Sequence, residues 1–149
     1  MNNWHVYLSG EIHSDWREQI INGSRDAGLA IQFSSPVTDH AASDECGARI
    51  LGHEENNFWY DHKAAKINAM RNRRQIEKSD IVVVRFGDKY KQWNAAFDAG
   101  FAAALGKSII TLHDPELTHA LKEVDAAAQA CAQTPQQVIE ILQYIIQQK

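Results

Sequence analysis

At 149 residues and 44% hydrophobic content, the chain can build one complete core and is too short to favour two ordinary domains, so a single domain over 1–149 is expected. Its net charge of −4 gives no basic excess, which argues against an extended nucleic-acid surface and for a small-molecule partner. Cys46 and Cys131 lie far apart and form no Cys-x-x-Cys spacing, which argues against a disulfide framework or zinc ribbon and fits a reducing cytoplasm.

The opening run enters "HVYLSG" (5–10) directly, with no leader-like apolar region, and no later segment has the length and apolarity of a membrane span. A soluble, cytoplasmic protein is expected. "HVYLSG" is β-rich and stops at glycine. Ser14 or Asp15 then offers an N-cap for a helix beginning "WREQ". "AIQFSSP" (30–36) predicts a second strand ended by proline. The stretch 37–57 has neither period nor apolar weight and is expected to be a long loop forming a lid or pocket wall.

From Phe58 to Lys78, apolar residues recur at helical spacing and the run ends in basic residues, which suit a helix C-terminus. "DIVVVRF" (80–86) has the continuous Ile/Val character of a strand covered on both faces. "WNAAFDAGFAAALGK" (93–107) predicts a small-residue helix closed by Gly106, with Asp98 in an apolar neighbourhood; if Asn94 is its cap, Asp98 lies in the first turn, where the helix dipole favours ionisation. "SIITLH" is another buried strand. "DPELTHALKEV" is helical in pattern, and "AAQACAQ" either extends it or forms an edge strand. "TPQQ" opens the last helix with a capping box. Strands and helices alternating in this way imply a three-layer α/β sandwich around a mainly parallel sheet of about five strands.

In such sheets ligands bind beyond the carboxyl ends of the strands. That selects "SGEIHSDW" after the first strand and "GDKYKQWN" after the central one. Ser9 and Gly10 can offer backbone donors, Glu11 and His13 can move a proton or hold a sugar hydroxyl, and Trp16, Tyr90 and Trp93 can stack on a base beside Gly87 and Asn94. No dinucleotide fingerprint, Walker loop or nucleophile elbow is present, and no cofactor is called for. Asp39, His40, Asp44, His53 and Glu54 match no compact zinc or calcium spacing, so no metal is expected.

These residues carry a resemblance. "HVYLSG", "KSDIVVVRFG" and the acid-bearing helix ending in "LGK" resemble the nucleoside 2-deoxyribosyltransferase superfamily. "GEIHSDWR" and "DKYKQWNAAFDAGFAAALGK" are similar, over nearly the whole chain, to its YtoQ family. The resemblance implies a flavodoxin/Rossmann-like fold, a homo-oligomer with sites near subunit contacts, and N-glycosidic chemistry on a nucleoside or nucleotide. It places Asp98 where the superfamily has a nucleophilic glutamate one methylene longer. Asp80 then matches an acid that handles the base, Tyr7 a residue that positions the nucleophile, and Gln92 the place of a further acid. Two other functions fit the same residues: a non-catalytic nucleotide-binding module, and a hydrolase of another small molecule.

Overall fold

The computed structural model describes residues 3–147. Its sheet runs β2 (Ile31–Ser34), β1 (Trp4–Gly10), β3 (Ile81–Arg85), β4 (Ser108–Leu112), β5 (Ala130–Ala132), with every neighbouring pair parallel. The chain leaves β1 first for one side and then for the other, so strand order reverses between β1 and β3.

Alternation along the strands sorts the side chains into two cores. Val6, Leu8, Val83, Ile110 and Leu112 face α1 (Trp16–Asp26) and α6 (Pro135–Ile146), meeting Ile20, Val138 and Leu142. Tyr7, Val82, Val84 and Ile109 face the opposite layer, where α3 (Asn57–Lys78) supplies Ile76 and α4 (Trp93–Ala104) supplies Ala95, Ala99 and Ala102. Each fully buried Val, Leu or Ile contributes roughly 1.5–3 kcal/mol. Small residues on α4 let that helix sit close to the sheet. Ser9 has the parity of Tyr7, so its hydroxyl points toward α4.

The helix ends follow from local chemistry. Gly106, at φ 74°, closes α4 in a Schellman turn: its N–H donates to Ala103 O (3.0 Å) and the Lys107 N–H to Ala102 O (3.0 Å). Thr134 Oγ1 accepts from the Gln137 N–H at the start of α6, but the reciprocal arm reaches Gln133 N instead of Thr134 N. Asp15 occupies the N-cap of α1 without capping it through its side chain. Past β4, the helical pattern resolves into a 3₁₀ turn, Pro115–Leu117, and a short α5, Lys122–Ala126, and "ACA" forms the edge strand β5.

The stretch 37–57 differs from expectation. Instead of a structureless loop it contains α2 (His40–Leu51), whose first turn is capped by Asp39 Oδ1 accepting from Ala42 N (2.9 Å). The helix packs on α3, not on the sheet. Gly47 makes that possible, since a Cβ there would lie 2.5 Å from Ala64 N, and Asn68 Nδ2 donates to Ser43 O (3.0 Å) across the pair.

Candidate active site

A cleft of about 840 Å³ opens at the carboxyl end of β1, next to the β1/β3 reversal. This is the size of ordinary small-molecule sites. Its walls are the β1–α1 loop, the inner faces of α2 and α3, the β3–α4 loop and the start of α4.

Asp98 lies half-buried on the cleft wall, where Ser9 Oγ donates to its Oδ2 at 2.7 Å. It has no ion-pair partner among the described residues. The helix begins at Trp93 with Gln92 in the cap position, so Asn94 does not cap it and Asp98 falls in the second turn. In the second turn, burial and not the helix dipole sets the ionisation of Asp98. Desolvation holds the Asp98 carboxyl above the usual aspartate range, partly offset by the Ser9 hydrogen bond, which favours the ionised form.

Tyr7 is fully buried beneath the cleft, and its hydroxyl has no hydrogen-bond partner among the described residues. Burial, and then the charge of Asp98, push its pKa well up. The hydrogen bond that orients Asp98 comes from Ser9, not from Tyr7.

Arg17 organises the loop beneath Ser9. Its buried guanidinium donates to Leu8 O (3.1 Å), Gly10 O (3.1 Å) and Glu11 O (2.7 Å), and desolvation brings its pKa down to about 10, so it stays charged at neutral pH. Gly10 is required at its place, because at φ 125° a Cβ would lie 2.1 Å from Arg85 O.

The other sequence candidates divide. His13, Tyr90, Trp93 and Asn94 line the cleft, with the His13 and Tyr90 rings 5.0 Å apart. Tyr90 holds φ 68°, a costly value for a bulky residue, in the loop before α4. Trp16 is core instead: it is 2% exposed and its indole N–H donates to Glu11 O (2.8 Å). Gly87 packs behind Glu11 and is not on the cleft wall. Glu11 is on the wall, but its carboxylate is committed to the loop, accepting from His13 N (2.6 Å), Ser14 N (3.2 Å) and Ser14 Oγ.

Asp80 is placed elsewhere. It precedes β3, at the amino end of the sheet, where its Oδ2 accepts from His5 N (2.8 Å) and ties β1 to the incoming chain. It does not line the cleft. Gln92, which stands where a family acid was expected, holds its own loop: its Oε1 accepts from Gly87 N (3.0 Å) and its Nε2 donates to Lys89 O and Tyr90 O.

Asn68, Asn72 and Arg73 of α3 also line the cleft; of these the sequence suggests only Arg73, one of three arginines (Arg71, Arg73 and Arg74) at a solvated helix end of which one could neutralise a cleft acid. Their spacing was a usable signal. With Ala65, Ala69 and Ile76 they form one stripe at three- and four-residue intervals, polar residues among small ones. No group of three or more His, Cys, Asp or Glu suited to a metal ion occurs among the described residues.

Order 2-1-3-4-5 with a cleft at the reversal defines a Rossmann-like α/β protein whose cleft has small-molecule size. The chain belongs to the family described as Nucleoside 2-deoxyribosyltransferase YtoQ, whose sequence profile matches residues 7–146. It is 42% identical over 142 residues to the uncharacterized protein YtoQ of Bacillus subtilis (strain 168), spanning 95% of this chain and 96% of that one. Similar solved structures include a 2-deoxyribosyltransferase of the psychrotolerant Bacillus psychrosaccharolyticus, with TM-score 0.54, 17% identity and 91% and 90% of the two chains covered. The CMP N-glycosidase of Clostridium botulinum aligns with TM-score 0.51 and 13% identity over 95% and 98%. At these identities the likeness to the solved structures is one of fold.

Proposed function

We propose that the protein cleaves or transfers across the N-glycosidic bond of a nucleoside or related ribosyl compound, with Asp98 as nucleophile. The observation that carries this is the Asp98 carboxylate itself: it faces the cleft, is held at one oxygen by Ser9, and has no cation partner among the described residues. A carboxylate so placed can form a bond to the anomeric carbon as the carbon–nitrogen bond breaks. The electron pair leaves with the base, which takes up a proton. Attack at the same carbon by water or a second base then releases Asp98, and two inversions give net retention.

His13, exposed in the cleft beside Tyr90, is the loop residue free to exchange that proton, whereas Glu11 is not. Tyr90 and Trp93 supply aromatic faces for a base, and Asn68 and Asn72 supply amide edges that can pair with it. Family membership and the two functionally described structural neighbours support this class of chemistry. No described helix is long and apolar enough to cross a membrane. A homo-oligomer is implied by the family resemblance, and sedimentation of the purified chain tests it.

The test is mass-spectrometric product analysis with a panel of nucleosides and nucleotides, with and without an acceptor base, for the parent and Asp98→Asn. Free base from the parent alone supports glycosidic chemistry, and base exchange distinguishes transfer from hydrolysis. Absence of product while a ligand raises the melting temperature of both proteins overturns it in favour of a binding module.

A further inference from the structure

In an open parallel sheet, the loop after the first strand and the start of the next helix usually offer backbone N–H groups to an anion at the strand-order reversal. Here two of the loop donors are already engaged. The Glu11 carboxylate takes the N–H groups of His13 (2.6 Å) and Ser14 (3.2 Å) and the Ser14 hydroxyl, and the residue is 6% exposed. Arg85, at the end of β3, brings its buried Nε to 3.9 Å from Oε1, close enough for charge attraction but without a hydrogen bond. Gly87 leaves room for this arrangement: a Cβ there would stand 3.0 Å from Glu11 Cγ. Two loop amides, a hydroxyl and a guanidinium around one buried carboxylate form an anion seat filled by the chain's own side chain.

We propose that Glu11 is a built-in anion that determines specificity: it occupies the phosphate position of the β1–α1 loop and bars a substrate that carries a phosphate at that end of the cleft. A phosphorylated substrate would find the His13 and Ser14 amides and the Ser14 hydroxyl already taken and would meet a like charge, which is unfavourable when desolvated. The neutral hydroxymethyl end of a nucleoside meets neither obstacle. The inference takes its substrate from the proposed function, but the seat is testable without that chemistry.

The experiment titrates inorganic phosphate into the parent, Glu11→Ala and Glu11→Ser, reading melting temperature and the amide resonances of His13 and Ser14, with circular dichroism to establish folding. The parent is expected to show no saturable response. Both variants should gain a saturable melting shift with movement of those two amides. In the parent, a nucleoside 5′-monophosphate should compete for the cleft roughly tenfold more weakly than the parent nucleoside, or worse, and Glu11→Ala should erase the difference. Phosphate binding at these amides in the parent, or folded variants that gain none, overturns the proposal. If neither variant folds, the parent decides alone, and a monophosphate that binds as tightly as its nucleoside overturns it. If no nucleoside binds at all, the proposed function fails while the phosphate titration still decides the seat.

Discussion

Replacing Ser9 by alanine removes a single oxygen, the one that holds Asp98. The lost contact is a 2.7 Å hydrogen bond to a carboxylate from a hydroxyl on a residue only 1% exposed. Hydrogen bonds to charged groups contribute about 1.5–3 kcal/mol, and cleft water can replace part of this one, so a loss of about 1–2 kcal/mol at neutral pH is expected. The loss depends on pH with a definite sign. The bond favours the ionised carboxylate, so its contribution is full where Asp98 is ionised and fades as pH falls through the native pKa. Without it, burial acts unopposed and the carboxyl pKa rises further. Activity on the acid limb of the pH profile should therefore drop by about tenfold or more and recover as pH rises. Urea unfolding at several pH values, carbon-detected titration of the Asp98 carboxyl and kcat/KM against pH read the three consequences. An unchanged carboxyl titration with a stability loss that is flat in pH would refute the reasoning.

Asp98→Asn should melt above the parent at neutral pH. The native carboxyl is held above its unfolded pKa by burial, so the folded chain binds its proton more tightly and the parent loses stability as pH rises through that native value. Each kcal/mol relieved would move the melting temperature by roughly 2–4 °C in a chain of this size, and the gap should close on acidification. Gly10→Ala forces a Cβ against Arg85 O at φ 125° and should cost roughly 2–6 kcal/mol in urea unfolding, through strain and overpacking; a loss under about 1 kcal/mol would contradict the close approach of β1 and β3. Asp80→Ala should lose about 0.5–1.5 kcal/mol, the value of its bond to His5 N, and keep its turnover; a folded but inactive variant would return Asp80 to the chemistry.

The two central strands were legible because β3 and β4 are runs rich in β-branched residues, and the two-sided burial of "IVVV" is written in its lack of alternation. β1 and β2 were marked by the glycine and proline that end them, while β5, with no β-branched residue, was legible only as an alternative to helix. The Gly106 stop and the Thr134 cap were equally local. Helix α2 was hidden because it buries almost no apolar surface: only Gly47 is fully buried, so no hydrophobic period exists to find. Asp39 before it and Gly52 after it were the remaining marks. The site was legible in outline, with Ser9, Gly10, His13, Tyr90, Trp93, Asn94 and Asp98 brought to one cleft from two loops and the helix that follows. Partnering was not. Glu11 reads as a free loop acid until the loop closes on it, Trp16 as a stacking surface until the core takes it, and Asp80 as a cleft acid until strand polarity puts it at the far end.

The most direct test of the account is peptide mass spectrometry of the protein quenched in acid during turnover of the nucleoside that the panel identifies. Attack by Asp98 predicts a glycosyl ester on the peptide that contains it, absent from Asp98→Asn. Turnover that leaves Asp98 unmodified while another side chain carries the sugar, or that survives in Asp98→Asn at the parental rate, would contradict it.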